Sequence, residues 1–522
     1  MNRFKKFIFN GLLITAVSIL IRSVAVSFNV YISNKIGAVA MGVFTLITTV
    51  YGFAVTVATS GISLASTRLI AEALGEQSDT SSVKTYKIRC IVKKCVTYAL
   101  CFSIGAAIIL YVFAPAIGVK LLLDERTVRP LRILAFSLPP IALSSVLGGY
   151  FTAIRRVYKN AIVTVLGQGL RIFVCIFLFS VLGTSDVESA CIAIVLGGTA
   201  SEIISLAVQY LLYVIEKKNT NGKKVTSSEA GRIWKNILNT ALPVAFSAYM
   251  RSGLITIEHM LIPWGLQRSG SSRDMSLAAY GIVQSMVFPL VLFPSALSGS
   301  FAGLLVPEVA ESAAVGDTDR IHRIINRVFR SVLIYAIGTA GIMTVFSHEL
   351  ANTVYPHTDS ARFILMISPL IPVMYLDTSV DGILKGLGEQ VYCMGVNIAD
   401  ALLSVILVWI LLPRMGINGY IITVYFTEIV NAALSIARLL KVTKIKLKIF
   451  DIVVKPLACI IFSIAVTKFF GKCIVGSMIS APILTSYIAM SVGIYLILLV
   501  LTKTFRFSEK ERVLKDKRTP AQ

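Results

Sequence analysis

Four arginine residues lie where a charged side chain is costly. Arg22, Arg171 and Arg251 interrupt long apolar stretches, and Arg68 lies near the end of a fourth. A charge at the centre of a bilayer costs roughly 3 kcal/mol on insertion scales, so such a residue usually faces a water-filled cavity or a partner inside a helical bundle. Arginine donates paired hydrogen bonds from a planar, permanently charged group, which suits phosphate and carboxylate alike. The four residues therefore predict a binding site for an anionic cargo.

The depth of these arginines supports the prediction for three of them. Arg22 and Arg251 each lie roughly 22 Å from the cytoplasmic start of their apolar stretch, and Arg171 about 15 Å. Arg68 precedes Glu72 by four residues, so a helical ion pair or snorkelling explains it as well as cargo binding does. For the other three the alternative is structural pairing with buried acids, for which the candidates are Glu202, Glu258, Asp377, Asp381, Asp400 and Glu428.

Acidic and polar residues gather in the second half of the chain. Glu258 follows Arg251 by seven residues, Asn397 and Asp400 share a helix face, and Thr427 and Glu428 adjoin each other. Such oxygen ligands could hold Na⁺, and a carboxylate could carry a proton, although hydrogen bonding between helices explains the same residues equally well. We predict no cofactor beyond Na⁺ or H⁺, because the eight cysteines and four histidines form no zinc or disulfide pattern.

The elements that must position these residues are transmembrane helices. Of the 522 residues 56% are hydrophobic and 15% are charged, with a mean hydropathy of +0.79, whereas soluble domains carry about 25% charged residues. The apolar segments are too long and uniform for barrel strands. We predict an all-α polytopic membrane protein with about fourteen spans of about 20 residues or more, near 7–33, 39–72, 93–114, 128–152, 160–182, 189–215, 236–264, 277–304, 328–347, 363–384, 391–412, 416–440, 452–470 and 481–502.

The distribution of positive charge predicts the orientation of the chain. The net charge of +23 arises from 50 basic and 27 acidic residues, and most of the basic residues fall in alternate loops, which by the positive-inside rule face the cytoplasm. We therefore predict a multi-pass protein of the bacterial cell membrane with both termini cytoplasmic. No aromatic-basic pattern indicates nucleic-acid binding. The first apolar run continues past residue 30, which favours a retained helix over a cleaved signal peptide.

Segments of the first half recur in the second. The stretch ILIRSV (19–24) resembles AYMRSG (248–253), AMGVF (40–44) resembles AYGIV (279–283), and STRLIAEA (66–73) resembles LVPEVAES (305–312). An even number of helices separates the copies, which predicts a parallel repeat about an axis along the membrane normal, with two lobes enclosing a central cavity. The predicted organisation is a six-helix lobe at 1–215, a cytoplasmic linker at 216–235, a second six-helix lobe at 236–440, and two helices with a basic tail at 441–522.

Two stretches carry a resemblance to a known family. The segment IRSVAVSFNVYISNKIGAVAMGVF (21–44) resembles the opening of the SpoVB-like polysaccharide-transport flippases, and LSSVLGGYFTAIRR (143–156) resembles the end of their fourth helix. These flippases belong to the multidrug/oligosaccharidyl-lipid/polysaccharide (MOP) superfamily, as do MurJ-type lipid II flippases and MATE exporters. The resemblance implies a V-shaped, two-lobed bundle that moves an undecaprenyl-pyrophosphate-linked sugar, and it associates SpoVB-like members with spore-cortex peptidoglycan and sporulation.

Single positions both match and depart from this family. Arg22 matches the first arginine of the MurJ-like pattern S-R-x-L-G-x-x-R, whereas the second arginine position falls near Phe28 and Asn29. Asn397 and Asp400 resemble the asparagine–aspartate sodium site of MurJ-type proteins, with the spacing one residue short.

These observations predict a transporter rather than an enzyme, because no P-loop, HExxH or GxSxG motif is present. We expect a flippase that carries a polyprenyl-pyrophosphate-linked glycan, similar to lipid II, from the inner to the outer leaflet by alternating access, with cell-wall synthases as candidate partners. One alternative is a MATE-like cation-coupled exporter of small molecules, which would depend on Glu258 or Asp400. The other is a membrane scaffold for cell-wall synthesis without transport, which would tolerate the loss of every intramembrane charge.

Overall fold

The computed structural model describes residues 3–75, 81–183, 186–216, 227–356, 358–445, 450–474 and 481–502. These ranges are helical almost throughout and contain no β-strand, which confirms the predicted all-α class. Short π-helical or 3₁₀ turns join several of the α-helices. The α-helices are α1 (Arg3–Thr59), α2 (Ile62–Gly75), α3 (Ser81–Pro115), α4 (Val128–Ala135), α5 (Leu138–Ala153), α6 (Val157–Leu182), α7 (Val187–Glu216), α8 (Ser227–Arg268), α9 (Arg273–Gly281), α10 (Phe288–Leu292), α11 (Ala296–Val315), α12 (Thr318–Val345), α13 (Ser347–Val354), α14 (Ser360–Ile367), α15 (Ile371–Gly386), α16 (Gln390–Met415), α17 (Ile417–Thr443), α18 (Lys455–Ile474) and α19 (Ala481–Leu501).

The helices confirm a polytopic membrane protein. Within the described ranges 11 helical stretches are long and apolar enough to cross a bilayer, or up to 12 if the bent pair formed by α4 and α5 is one span. Two features separate this number from the fourteen predicted segments. The first two segments lie in one continuous stretch, Ile19–Gly75, and the segment 236–264 lies in α8, which is helical but less apolar. The number of crossings therefore stays a prediction.

The helix α1 agrees with the prediction at one break, because Gly37 lies between the predicted spans 7–33 and 39–72, and departs from it at its end. Its course changes at Gly37, which has φ 79° and ψ 173° inside an otherwise helical stretch. The predicted span 39–72 is two helices, because Ser60 and Gly61 both adopt positive φ, 43° and 69°, between α1 and α2. Left-handed residues end a helix and free its carbonyls for other donors. The Tyr98 hydroxyl of α3 donates to the Ser60 carbonyl over 3.2 Å.

The chain forms two compact units, which divide it within helices rather than in loops. The first comprises Met1–Met286 and Asn397–Thr427, and the second comprises Val287–Val396 and Glu428–Gln522. The predicted lobe boundaries at 215, 235 and 440 are based on the repeat rather than on packing, and they stay a prediction. All of the contacts described below lie inside a single unit.

The core of the first unit is built by α2, α3, α5 and the start of α8. Its fully buried side chains include Ile70, Cys95, Phe151 and Ile237. Small residues permit the close helix packing, since a Cβ on Gly149 of α5 would lie 2.8 Å from the Ser63 carbonyl of α2. Close approach over small residues is the usual way in which membrane helices gain packing contacts.

In the second unit the final two helices dock on α12. A Cβ on Gly338 would meet the Tyr495 ring at 2.8 Å, and one on Gly341 would meet Ile460 at 2.6 Å. The Tyr495 hydroxyl donates to the Ile334 carbonyl over 2.8 Å, inside a buried contact. The two glycines of α12 therefore form the surface on which α18 and α19 rest.

Candidate functional site

The helices α8 and α16 run in the same direction in the first unit and approach each other at two levels. The Ser404 hydroxyl of α16 donates a hydrogen bond to Glu258 Oε1 of α8 over 2.7 Å. Gly265 follows Glu258 by seven residues on α8, and Leu412 follows Ser404 by eight residues on α16. A Cβ on Gly265 would lie only 2.7 Å from the Leu412 Cβ. These two contacts advance together along both helices, so they fix a parallel register.

This register brings predicted residues of both helices together. At about 1.5 Å per residue, Asp400 lies about 6 Å before Ser404, and Arg251 lies about 10 Å before Glu258, on the same side of the pair. Residues four and seven apart share a helix face. Asp400 therefore lies on a level between Glu258 and Arg251, and it interacts electrostatically with both. We call Arg251, Glu258, Asp400 and Ser404 the α8–α16 cluster.

The side chains of the α8–α16 cluster differ in whether their polar atoms have hydrogen-bond partners. Glu258 is half-buried and accepts the Ser404 bond, whereas Arg251 is exposed. The Oδ1 atom of Asp400 is buried and accepts no hydrogen bond from the described part of the chain. Asn397 lies one turn before Asp400 on α16, half-buried and with a partner of its own. A buried acceptor without a donor costs free energy unless a ligand, ion or water satisfies it.

A second arginine, Arg171, lies at the contact between α6 and α7. A Cβ on Gly197 of α7 would lie 3.3 Å from the Arg171 carbonyl, so the two helices pack closely at this level. The guanidinium is half-buried, and its Nε atom donates to no acceptor among the described residues. Glu202 of α7 and Tyr51 of α1 both interact with it electrostatically. Glu202 is thus an acidic neighbour of Arg171, as the pairing alternative predicted, although no contact ion pair joins them in the described ranges.

Arg22 is exposed on α1 and has an interaction partner. Two turns further along the same helix face, Asn29 Nδ2 donates to the Ser285 carbonyl over 2.7 Å. Ser285 belongs to a π-helical turn, Ile282–Val287, and such turns are frequent at functional sites. The residue near the family's second arginine position therefore serves in this chain as a hydrogen-bond donor between helices.

The opposite face of α1 borders a cavity of about 370 Å³ between α1 and α6. The cavity is lined by Ser23, Phe28 and Tyr31 of α1 and by Ile172 and Ile176 of α6, among others. Phe28 and Tyr31 stack with ring centroids 6.5 Å apart. The cavity is therefore mainly apolar, and it is separate from the face of α1 that carries Arg22.

Arg68 forms the ion pair that was the alternative to cargo binding. Its Nε lies 2.8 Å from Glu72 Oε1, and the two side chains are 62% and 52% exposed. An exposed pair at this spacing contributes only about 0.3–0.5 kcal/mol. Arg68 is therefore a weaker candidate than the three deeper arginines.

The predicted pair on α17 is not part of the α8–α16 cluster. Thr427 is buried, and its hydroxyl donates to the Thr423 carbonyl of its own helix over 3.0 Å. Glu428 is half-buried in the second unit and has its own partner. The acids of the second unit also have partners, since Asp381 pairs with Lys385 at 3.6 Å and Asp377 accepts from Asn431 at 3.4 Å.

Sequence reasoning missed the residues that connect these helices. The Ser404 bond to Glu258 was not predicted, although its spacing of four from Asp400 was a usable signal. A second missed contact is the 2.7 Å hydrogen bond between His259 Nδ1 and the Tyr280 hydroxyl. Within the described ranges no group of three or more His, Cys, Asp or Glu side chains could hold a metal ion, so any cation at this site would need serine, asparagine or backbone oxygens as well.

Charged side chains inside apolar helices, with acids placed beside them on neighbouring helices, are typical of a membrane protein of the transporter class. Two family models match the chain, and together they cover most of it. The model described as "Polysaccharide biosynthesis protein" matches residues 8–265, and the model described as MatE matches residues 269–410.

Two relatives and two solved structures add to this result. Stage V sporulation protein B of Bacillus subtilis (strain 168) is 24% identical over 97% of both chains, and sporulation protein YkvU of the same organism is 20% identical over 70% of this chain and 78% of its own. The lipid II flippase MurJ in an inward closed conformation matches with a TM-score of 0.70 at 13% identity, covering 94% of this chain and 98% of its own. An inward-facing MATE family transporter matches with a TM-score of 0.59 at 14% identity, covering 82% and 99%. Together, the two family models and the similarity to Stage V sporulation protein B identify the chain as a member of the MOP superfamily.

Proposed function

We propose that this protein is a flippase for an undecaprenyl-pyrophosphate-linked saccharide, similar to lipid II, and that it moves this lipid from the inner to the outer leaflet. The observation that carries the proposal is the state of Arg251, which is exposed on a helix that the sequence predicts to span the membrane. No hydrogen bond or contact ion pair within the described ranges occupies its guanidinium. A fixed positive charge with unused donors suits a diphosphate.

The other deep arginines extend the proposed anion site. Arg22 is exposed, and Arg171 keeps a buried Nε donor without an acceptor among the described residues. In this proposal the three arginines bind the pyrophosphate, the sugar occupies the hydrated space beside them, and the polyprenyl tail stays in the lipid. The protein performs no covalent chemistry, since moving a lipid between leaflets breaks no bond.

Alternating access requires a driving force, and two are compatible with the charges described. The outward movement of a negative head group is favoured by about 2.3 kcal/mol per charge per 100 mV when the inside is negative. A cation, Na⁺ or H⁺, held by Glu258, Asp400 and their oxygen neighbours would couple its own gradient to the return step. Both forces need the protein in the bacterial cell membrane, for which we propose that both termini are cytoplasmic.

Comparison with known proteins supports the saccharide lipid over a small-molecule drug. Stage V sporulation protein B aligns along 97% of both chains, and the first half of the chain matches a polysaccharide biosynthesis model. The MATE alternative would depend on the acids of the α8–α16 cluster and not on the arginines. The two functions therefore predict opposite results for substitutions of the arginines.

The test is a leaflet-accessibility assay in proteoliposomes that contain an undecaprenyl-pyrophosphate disaccharide. We expect Arg22→Ala and Arg251→Ala each to lower the flipping rate by at least about tenfold, since a hydrogen bond to a charged group contributes about 1.5–3 kcal/mol. Arg268→Ala is the matched control, because Arg268 ends α8 and stacks on Trp264 at 4.7 Å. Undiminished flipping by both Arg22→Ala and Arg251→Ala would refute the proposal.

A further inference from the structure

Asp400 lies where it can take the place of a bound phosphate at Arg251. We propose that the Asp400 carboxylate competes with the anionic head group for the Arg251 guanidinium, so that it weakens binding of the anion and speeds its release. The inference rests on the proposed function, since it requires an anion at Arg251. It assigns Asp400 a role in positioning and releasing the cargo, separate from any role in holding a cation.

The geometry of the two helices carries the proposal. The 2.7 Å bond from Ser404 to Glu258 and the close approach of Gly265 to Leu412 fix α8 and α16 in a parallel register. In that register Asp400 and Arg251 differ in level by only about 4 Å, from the rise of about 1.5 Å per residue. An arginine side chain can extend over such a distance, so its guanidinium can turn towards Asp400 or away from it.

The Asp400 carboxylate and a phosphate group can bind the Arg251 guanidinium in the same way. A carboxylate and a phosphate both accept paired hydrogen bonds from a guanidinium. The Asp400 carboxylate interacts electrostatically with Arg251, yet its buried Oδ1 accepts no hydrogen bond from the described residues. The two groups are thus close enough to attract each other but are not joined in a contact ion pair, and this leaves the guanidinium available to a stronger acceptor.

Glu258 explains why Asp400 is the acid that can compete. Its carboxylate already accepts the Ser404 hydroxyl, and by the helical rise Glu258 lies about 10 Å along α8 from Arg251. When both are ionised, the Glu258 and Asp400 carboxylates repel each other, which favours an approach of Asp400 towards Arg251. With a diphosphate at Arg251, Asp400 would face negative charge from both sides, and the anion would be bound less tightly than by the arginine alone.

The experiment measures binding of farnesyl pyrophosphate to the purified full-length protein in detergent micelles, by isothermal titration calorimetry. We expect Asp400→Asn to bind this probe about tenfold more tightly than the wild type, inside the ~5–150-fold range of coupling between neighbouring sites. The same variant should flip the lipid-linked disaccharide more slowly, because release is retarded. Tighter binding with slower transport is a result that simple loss of structure does not produce.

Three further variants make the result specific. In a protein that already carries Arg251→Gln, Asp400→Asn should give no gain in affinity for farnesyl pyrophosphate, because the guanidinium for which Asp400 competes is absent. Asp377→Asn removes a carboxylate of the second unit, where Asp377 contacts Asn431. This variant should leave the affinity for farnesyl pyrophosphate unchanged. Asp400→Ser provides a second neutral side chain, should the asparagine variant fold poorly.

Three results would overturn the inference. If the wild type binds farnesyl pyrophosphate and the neutral Asp400 variants bind it equally or more weakly, Asp400 is not a competitor, whereas the proposed function stands. If they bind it more tightly even without Arg251, the effect does not pass through this arginine. If the wild type does not distinguish farnesyl pyrophosphate from farnesol, the proposed anion site itself is wrong, and this inference fails with it.

Discussion

Gly42 of α1 and Gly281 of α9 pack directly against each other. A Cβ on Gly42 would lie 2.0 Å from the Leu277 carbonyl oxygen, and a Cβ on Gly281 would lie 2.4 Å from the Ala38 carbonyl oxygen. Each glycine thus faces the carbonyl four residues before the other, so the contact is the same when the two helices are exchanged. Such reciprocity is the property of a contact on a two-fold axis. The same two glycines align in the internal repeat, AMGVF with AYGIV, although the repeat itself stays a prediction.

This contact predicts that neither glycine tolerates even one methyl group. Gly281→Ala should destabilise the protein by about 1–3 kcal/mol, as overpacking does, because backbone atoms of α1 fill the space. Gly52→Ala is the control on α1, since no atom lies within 4 Å of its added Cβ. It should be neutral or stabilising by up to about 1 kcal/mol, from helix propensity. Thermal unfolding in detergent measures both, and equal melting temperatures would contradict the prediction.

The hydrogen bond between Ser404 and Glu258 should stabilise the packing of α8 on α16. Ser404→Ala leaves the half-buried Glu258 carboxylate without this donor, and we expect a loss of about 1–3 kcal/mol in the free energy of unfolding. Ser404→Thr keeps a hydroxyl and should recover most of it. Thermal unfolding compares the three proteins. A Ser404→Ala protein as stable as the wild type would show that the bond contributes nothing.

A third prediction concerns Asp124, whose side chain is only 3% exposed. Its carboxylate accepts hydrogen bonds from Arg126 Nε and Nη2 at 2.9 and 2.8 Å, and Arg273 Nη2 lies 3.4 Å away. Asp124→Asn leaves two cations without their shared partner, and because the Arg126 and Arg273 side chains are 29% and 34% exposed, we expect a loss of about 1.5–3 kcal/mol, as for hydrogen bonds to charged groups. We expect Asp124→Asn to lower the melting temperature clearly in a thermal-shift measurement.

The control for this prediction lies in the same group of charges. Asp274 approaches Arg126 at 3.3 Å, but its side chain is 67% exposed, and an exposed ion pair contributes about 0–1 kcal/mol. Asp274→Asn should therefore leave stability nearly unchanged. If the two substitutions have equal effects, burial of Asp124 does not determine the strength of the interaction.

A fourth prediction tests whether Arg171 and Glu202 depend on each other. Arg171→Met should leave Glu202 without its positive neighbour, and Glu202→Gln should do the reverse for Arg171. If the two are coupled, the double variant should be less destabilised than the sum of the single variants, by about 0.5–3 kcal/mol. The measurement is a double-mutant cycle of unfolding free energies. Additive effects would mean that Arg171 is available to cargo without a competing acid.

The sequence was sufficient for the fold class and for most helices. A run of about 20 apolar residues has few alternatives to a spanning helix, because the bilayer offers backbone groups no other partner. It failed at Ser60 and Gly61, where two residues of positive φ divide a predicted span. Thr59, Ser60 and Gly61 interrupt the apolar run and Ser-Gly is a turn signal, but hydropathy averaged over about 20 residues does not register so short an interruption.

For the candidate site, the sequence identified individual residues but not which of them lie together. The apolar surroundings of Arg22, Arg171 and Arg251 marked them in the sequence, because a charge in such a stretch needs an explanation. The sequence also marked the acids Glu258 and Asp400 as candidates, but it did not indicate that they interact with each other. Their interaction depends on the register of α8 against α16, which are more than a hundred residues apart in the sequence. The hydrogen bond from Ser404 to Glu258 and the close packing of Gly265 on Leu412 fix that register.

Amino-acid order alone therefore determined what is in the membrane and which charges are costly there, since both follow from the local free energy of transfer from water to lipid. Only the tertiary structure decided which charges share a neighbourhood. It separates Arg68, paired with Glu72 on one helix, from Arg251, which interacts electrostatically with Asp400 of another helix. The reason is that contacts between helices depend on register and close packing at small residues, and neither quantity is encoded in the hydropathy of a single segment.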